Sequence, residues 1–188
     1  MSIATSIDIN IEKTQNSKLP QVDFNNLPFG QTFSDHMFVC DYKDGEWQTP
    51  QIIPYQNISL DPAAKIFHYG QSVFEGMKAY KDEQDQIWLF RPLENQKRIN
   101  ISSERLAMPA FPENYFMEGL KTLLKIEKEW IPQTPGSSLY IRPYIFATGI
   151  GFHASPADEY KFIIACAPSG PYFAGNVKVL IVIRINSN

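Results

Sequence analysis

Short apolar stretches bounded by turn residues recur along the chain and predict β-strands. Residues 35–42 are mostly apolar, end at a Lys-Asp-Gly turn and are followed by a tryptophan, a pattern typical of a hairpin. Residues 73–80 predict a second strand that pairs with residues 86–90 across a polar turn. Two longer apolar stretches, residues 138–147 and 160–167, predict another pair of strands joined by a loop.

Between these strands, apolar residues recur every three or four positions and predict two helices. A proline is well tolerated in the first turn of a helix, so we expect the first helix over residues 92–103. Its apolar side is predicted to consist of Leu93, Ile99 and Leu106. The second helix is expected to begin at residues 112–113, where an acidic side chain suits the helix N-terminus. Its apolar face is predicted to comprise Phe116, Leu120, Leu123, Leu124 and Trp130.

These elements predict an α+β fold that consists of one small domain and the start of another. The polar N-terminal residues carry no apolar core of the signal-peptide type, and we interpret them as a solvated lead-in. The predicted division is a lead-in over residues 1–26, a small α/β domain over 27–167, a Pro/Gly linker over 168–176 and the first strand of a C-terminal domain over 177–188.

Composition narrows the function classes. The formal net charge is -3, so no basic surface favours nucleic acid, and no polybasic stretch favours a membrane surface. Cys40 and Cys166 each lie among apolar residues, which indicates buried, reduced thiols in a cytoplasmic protein. The three histidines show no paired spacing, and we expect no metal site.

Three local patterns are candidates for binding chemistry, and each has a structural alternative. Arg98 on the first predicted helix either holds a phosphate or is a solvated surface charge. Tyr140 and Arg142 are two residues apart in a strand and so share a face, which indicates either a carboxylate site or a structural salt bridge. Residues 68–76 either line a pocket or form a strand entrance where glycine permits close packing.

Several strings extend this interpretation when they are taken together. They are FGQTFSDHMF (29–38), LDPAAKIFHYGQSVFEGMKAY (60–80), LFRP with Arg98 seven residues after its arginine, MPAFP (108–112), PGSSLYIRP (135–143) and SGPYF (169–173). In this order and at these separations, the chain resembles the branched-chain amino acid aminotransferases, which are fold-type IV pyridoxal-phosphate enzymes. The resemblance covers residues 27–173 and corresponds to the N-terminal portion of the family.

The resemblance implies a small N-terminal domain, a larger C-terminal domain, and pyridoxal 5'-phosphate between them in a homodimer. The implied reaction transfers an amino group between leucine, isoleucine or valine and 2-oxoglutarate. By motif, Arg98 resembles the arginine that holds the cofactor phosphate, and Arg142 resembles the one that meets the distal carboxylate of glutamate. The substrate pocket is implied to include, besides Arg142, the aromatic residues Phe29, Phe74, Tyr140 and Tyr172. Tyr69 and the loop over residues 149–155 resemble segments that reach the neighbouring subunit's site.

The sequence departs from the family pattern in one respect. Family catalysis needs a C-terminal-domain lysine that carries the cofactor, and Lys65, Lys78 and Lys178 do not match it. We therefore expect no catalytic residue in this chain, weak or absent binding of pyridoxal 5'-phosphate, and no transaminase activity from the chain alone. Two alternatives stay open: a sister activity, such as D-amino acid aminotransferase or aminodeoxychorismate lyase, and a non-catalytic, self-associating fragment.

Overall fold

A computed structural model describes residues 7–171, and the nine strands found there belong to one mixed sheet. The strands are β1 Asn10–Ile11, β2 His36–Lys43, β3 Glu46–Trp47, β4 Gln51–Pro54, β5 Ser72–Phe74, β6 Met77–Lys81, β7 Ile87–Leu89, β8 Ser138–Ala147 and β9 Tyr160–Ser169. Their order in the sheet is β1-β4-β2-β9-β8-β6-β7, with β3 paired to β2 and β5 paired to β8. Only the pairing of β1 with β4 is parallel among the pairs between these strands.

The helices lie mainly on one face of this sheet. They are α1 Lys65–Tyr69, α2 Pro92–Arg105 and α3 Glu113–Ile126, with short 3-10 helices at Leu19–Gln21 and Lys128–Trp130. The main core packs α2 and α3 against the long strands, and a smaller cluster on the other face contains Met37, Val39, Phe146 and Ile163. The predicted α+β class is confirmed, and Cys40 and Cys166 are both buried and form no disulfide within the described residues.

The strands predicted within residues 7–171 are confirmed, with one exception. The β2–β3 hairpin forms, β6 pairs with β7, and β8 has the predicted bounds. The strand predicted over residues 73–80 is divided into β5 and β6, although both pair with β8 in one continuous register. The Glu75 N–H donates to the Pro143 carbonyl at 2.8 Å, and Pro143 has no N–H to return the bond. The ladder is therefore interrupted at residues 75–76.

The second predicted helix is confirmed, and the first needs a correction. In α3, the predicted apolar residues 116, 120, 123 and 124 are all buried. In α2, Leu93 and Leu106 are exposed, and the buried face comprises Gln96, Ile99 and Ser103. Gln96 and Ser103 lie three and four residues from Ile99 and share its face, whereas Leu106 lies beyond the helix end. Gln96 is tolerated there because its amide donates to the Phe111 carbonyl at 3.0 Å.

The N-terminal lead-in is bound to the domain rather than solvated along its whole length. Asn10–Ile11 forms β1 beside β4. The Thr14 N–H donates to His36 Nε2 at 2.9 Å, and the Lys18 N–H donates to Asp35 Oδ1 at 2.8 Å. These bonds place polar residues of the lead-in against the start of β2, which the polar composition alone did not indicate.

The far end of the predicted domain is only partly described. β9 continues to Ser169, two residues beyond the predicted end of that strand, because residues 168 and 169 still pair with the start of β8. The strand predicted over residues 177–188 and the candidate residue Tyr172 lie outside the described residues. The division into two domains with a linker therefore stays a prediction.

Candidate functional site

A buried glutamate holds Arg98 at the surface of α2. Glu75, in the interruption between β5 and β6, is 3% exposed, whereas the Arg98 side chain is 68% exposed. Arg98 Nε donates to Glu75 Oε1 at 2.5 Å, and Arg98 Nη2 donates to Glu75 Oε2 at 2.6 Å. The Asn95 amide also donates to Glu75 Oε2, at 2.8 Å. This two-point pairing fixes both the position and the plane of the guanidinium.

The charges of this pair are mutually stabilised. Burial acts to raise the pKa of the Glu75 carboxyl, but the hydrogen bonds from Arg98 and Asn95 outweigh burial and leave that pKa below its ordinary value. The same pairing raises the pKa of Arg98. Arg98 Nη1 has no hydrogen-bond partner among residues 7–171, so its donors are available to an external anion. A guanidinium that is oriented by a buried carboxylate and has donors exposed to solvent suits a phosphate.

The surface around Arg98 forms an open depression of about 550 Å³. Its lining combines two arginines and a lysine with two exposed apolar side chains, and consists of Phe90, Arg91, Glu94, Asn95, Lys97, Arg98 and Ile101. Arg91 also has an exposed side chain, but its nearest carboxylate is Glu94 at 4.0 Å, and no buried acid of the described chain orients it. Arg98 is therefore the better-positioned anion ligand of the two.

Tyr140 and Arg142 on β8 lie beside two aromatic rings, those of Phe74 on β5 and Phe29 in the segment before β2. Arg142 Nη2 and Nε donate to the Tyr140 hydroxyl oxygen at 2.9 and 3.2 Å. The Arg142 guanidinium lies 4.4 Å from the centre of the Phe74 ring, a cation–π contact. The Phe29 ring contacts the Tyr140 ring edge-on, with centroids 4.9 Å apart. The structure thus brings together four of the residues predicted for the substrate pocket.

This cluster is chemically suited to a carboxylate beside an apolar group. The Tyr140 hydroxyl accepts from Arg142 and still has its own hydrogen to donate, while Arg142 Nη1 stays available. No carboxylate of the described chain pairs with Arg142, so the structural salt bridge that was the alternative is not found there. The rings of Phe29 and Phe74 supply an apolar wall, since both are exposed.

Arg98 and the Tyr140–Arg142 pair lie on opposite faces of the sheet. Successive side chains of a strand point to opposite faces, and Glu75 faces α2 whereas Phe74 and Gly76 face Tyr140 and Arg142. The connection between the two groups runs through the adjacent residues Glu75 and Gly76.

Tyr69 belongs to a third group, which joins α1 to the loop over residues 149–156. Its hydroxyl donates to the Phe152 carbonyl, and Tyr69 and Phe152 are both exposed. Lys65, 3% exposed, donates from Nζ to Ser155 Oγ at 2.8 Å, to the Pro156 carbonyl at 3.1 Å and to the Ser155 carbonyl at 3.2 Å. This loop is therefore fastened to the segment that carries Tyr69.

The sequence patterns included Glu75 and Gly76 in the candidate segment 68–76 but indicated no partner for Glu75, and they indicated no role for Lys65. One pattern could have identified Glu75. Val73, Glu75, Met77 and Ala79 are all buried and alternate with positions that are exposed or half-buried. A carboxylate at a buried position of an alternating strand needs a basic partner. For Lys65 the sequence offers no such pattern, because its partners lie about 90 residues away in a loop.

Solved structures share this fold. Branched-chain amino acid aminotransferase from Escherichia coli aligns over 74% of this chain and 41% of its own, with a TM-score of 0.56 and 24% identity. The branched-chain aminotransferase of the archaeon Thermoproteus uzoniensis, solved with norvaline, aligns over 72% of this chain and 41% of its own, with a TM-score of 0.51 and 19% identity. The fold class predicted from the fold-type IV resemblance is thus confirmed.

Sequence relatives identify the family more closely. The chain is 48% identical over 175 residues to branched-chain-amino-acid aminotransferase 2 of Bacillus subtilis, which covers 93% of this chain and 48% of that protein. It is 42% identical over 159 residues to the branched-chain-amino-acid aminotransferase of Mycolicibacterium smegmatis, covering 84% and 43%. The resemblance to branched-chain-amino-acid aminotransferases is thus confirmed, and the chain spans about half the length of the curated relatives it matches. It matches no protein-family model.

The helices of the described region are not of the membrane-spanning kind. None of those in residues 7–171 is both long enough and apolar enough to cross a bilayer.

Proposed function

We propose that this chain supplies the substrate-carboxylate and phosphate ligands of a pyridoxal 5'-phosphate-dependent transamination. The amino group would pass between leucine, isoleucine or valine and 2-oxoglutarate. The observation that carries the proposal is the Tyr140–Arg142 pair flanked by the rings of Phe29 and Phe74. The names of the two sequence relatives, both branched-chain aminotransferases, support the same substrate class.

The arrangement suits an enzyme that accepts two unlike substrates in turn. Leucine brings an apolar side chain, and glutamate brings a second carboxylate to the same place. Arg142 provides the charge for that carboxylate, and the Tyr140 hydroxyl and the Phe74 ring stay bonded to Arg142 when the carboxylate is absent. Because the guanidinium keeps these partners, the desolvation penalty is small when an apolar side chain lies beside it.

Arg98 is the residue proposed to hold the cofactor phosphate. Its fit rests on the orientation by Glu75, the free Nη1 donors and the open depression in front of it. When bound, pyridoxal 5'-phosphate supplies the electron sink for transamination. This chain's own contribution would be to bind and orient the phosphate through Arg98 and the substrate through Tyr140 and Arg142.

Three further parts of the proposal concern the assembled protein. The exposed group of Tyr69 and Phe152 would contact a second copy of the chain in a homodimer. The location would be cytoplasmic. The 188-residue chain alone would bind the cofactor weakly and would not turn over amino acids, because no lysine of its sequence matches the family lysine.

The test is a comparison of two arginines that line the same depression. Arg98→Ala and Arg91→Ala each remove one exposed cation from it, but only Arg98 is held by a buried carboxylate. We expect the purified chain to bind pyridoxal 5'-phosphate reversibly by absorbance and calorimetric titration. Binding should weaken at least about tenfold in Arg98→Ala, which corresponds to one lost charge-assisted contact, and should change little in Arg91→Ala.

A second titration tests the substrate side. 2-Oxoglutarate should perturb the side-chain NMR signal of Arg142, and Arg142→Met should abolish its binding. Equal cofactor binding by both alanine variants would contradict the role of Arg98. Turnover of leucine with 2-oxoglutarate by the chain alone would contradict the predicted inactivity. Binding of D-alanine in preference to leucine would favour the sister activity of a D-amino acid aminotransferase instead.

A further inference from the structure

Gly76 faces Arg142 across the interrupted ladder between β6 and β8. The register continues from the pair Phe74–Tyr144 to the pair Met77–Ile141, which places Gly76 opposite Arg142 and diagonal to Tyr140. The Gly76 carbonyl also lies 3.4 Å from the Asn95 amide, the same group that bonds Glu75. Gly76 is therefore next to both predicted binding groups.

Because Gly76 has no side chain, the end of the Tyr140 ring can occupy the space beside it. A Cβ atom built on Gly76 would overlap the Tyr140 hydroxyl oxygen and would lie 3.1 and 3.3 Å from the ring atoms Cζ and Cε2. The φ of Gly76 is not in the left-handed region, so an alanine could adopt this backbone conformation. The requirement for glycine at this position is therefore one of space alone.

Displacing the Tyr140 ring would also release Arg142. The hydrogen bonds from Arg142 Nε and Nη2 both end on the Tyr140 hydroxyl oxygen, so they cannot survive a shift of that oxygen. The contact of the guanidinium with the Phe74 ring does not fix the direction of its N–H groups. The positions of the Tyr140 hydroxyl and the Arg142 guanidinium thus depend on residue 76, opposite β8, having no side chain.

We propose that Gly76 is a positioning residue that sets the Tyr140–Arg142 pair for recognition of the distal carboxylate of a dicarboxylate substrate. The carboxylate part rests on the proposed function. The structural part of the inference is that Gly76 leaves room for Tyr140 to bond to Arg142, and this part is independent of the proposed function. Because Tyr140 is half-buried and its hydroxyl end can move, replacement of Gly76 should disturb recognition more than folding.

The experiment uses Gly76→Ala, Tyr140→Phe and the double variant. The first measurement is the NMR signal of the Arg142 Nε–H group, which should move in Gly76→Ala because its acceptor is displaced. The second is affinity for 2-oxoglutarate, which should fall about tenfold, and for the monocarboxylate 4-methyl-2-oxopentanoate, which should change less than about twofold. The Gly76→Ala change should lower the melting temperature less on the Tyr140→Phe background, because the overlapping oxygen is gone.

The outcomes separate this inference from the proposed function. An unmoved Arg142 signal in Gly76→Ala overturns the inference, whatever the ligands do. A moved signal in a protein whose wild type does not bind 2-oxoglutarate overturns the proposed substrate and the carboxylate part of the inference, and leaves the positioning role supported. If Gly76→Ala does not fold, recovery of folding by Tyr140→Phe supports the steric relation, and failure to recover overturns it.

Discussion

Two glutamates of this domain, Glu75 and Glu127, are almost completely buried, and each is paired with a basic side chain. Their partners differ: the Arg98 side chain is 68% exposed, whereas that of His36 is 7% exposed. The pKa values move in opposite directions. Burial dominates at Glu127 and raises its pKa, whereas the bonds from Arg98 and Asn95 outweigh burial at Glu75 and lower its pKa.

The pair at Glu127 is part of a closed network that joins distant segments. Glu127 bonds to His36 Nδ1 and accepts the Asp35 N–H at 2.9 Å. His36 Nε2 accepts from Thr14 N–H, so that nitrogen must be unprotonated. The network links the N-terminal segment, the start of β2 and the end of α3, and the side chains of Glu127 and His36 are both buried. Its role is to hold the fold.

In the pair at Glu75, the carboxylate is buried and the Arg98 guanidinium is exposed to solvent. Its carboxylate orients Arg98, whose remaining donors face water. A buried acid therefore says little by itself about function. The exposure of its partner distinguishes a group that supports the fold from one that presents a charge to a ligand.

The largest expected effect is on the closed network. Glu127→Ala leaves the His36 Nδ1–H and the Asp35 N–H without acceptors in a buried site. Each unsatisfied buried donor costs about 1–3 kcal/mol, so we expect a loss of about 2–6 kcal/mol in the free energy of unfolding. Urea denaturation of the 188-residue chain measures it. A loss below about 1 kcal/mol, the net worth of a single ordinary hydrogen bond, would show that the network does not hold the fold.

Glu75→Gln is expected to have a smaller effect on stability and a larger one on ligand binding. The Arg98 guanidinium can be solvated when its partner loses its charge, so the loss should be about 1 kcal/mol. Arg98 would no longer be oriented, and binding of pyridoxal 5'-phosphate should weaken. Parallel urea and cofactor titrations measure both. If cofactor binding is unchanged in Glu75→Gln, then Glu75 does not orient Arg98 for a ligand and does not differ in role from Glu127.

Lys65 sharpens the comparison because it is a buried cation bonded by carbonyl and hydroxyl oxygens instead of a carboxylate. Lys65→Met keeps the shape of the side chain and removes these bonds, for an expected loss of about 1–2 kcal/mol. Hydrogen exchange should speed up at residues 149–157 and stay unchanged in β8 and β9. Uniformly faster exchange across the sheet would mean that Lys65 supports the whole fold and not the loop.

The smallest expected effect is the pH dependence of stability. The Glu75 carboxyl has a folded-state pKa below its ordinary value of 4.5, so its contribution is fully present above pH 4.5 and is lost as pH falls through the folded-state pKa. Glu75→Gln should therefore reduce the loss of stability on acidification below pH 4.5. Glu127→Gln should not reduce it, because its folded-state pKa is raised. Denaturation at several pH values gives the comparison.

Local patterns were sufficient for most of the elements. The apolar stretch at residues 138–147 became β8 with the predicted bounds, and the helical spacing of Phe116, Leu120, Leu123 and Leu124 became the buried face of α3. These predictions succeed because side-chain periodicity reflects which face of one element is buried. The motif strings likewise indicated the family, because they consist of neighbouring residues.

Contacts between elements could not be predicted in this way. The apolar side of α2 was predicted to consist of Leu93, Ile99 and Leu106, of which only Ile99 is buried. Gln96 and Ser103 are buried beside it because nearby carbonyl groups satisfy their polar atoms. Glu75 and Arg98 lie 23 residues apart, and nothing in either local pattern specifies the bond between them.

The sequence by itself determined most of the longer strands, the helices α2 and α3, the resemblance to the family, and the identity of Arg98, Tyr140 and Arg142 as candidate ligands. Tertiary structure decided which groups orient them: Glu75 behind Arg98, and the empty side-chain position at Gly76 beside Tyr140. The physical reason is that hydrogen bonds and excluded volume act over a few ångströms in space, and the chain brings these residues together only when the sheet and α2 have packed.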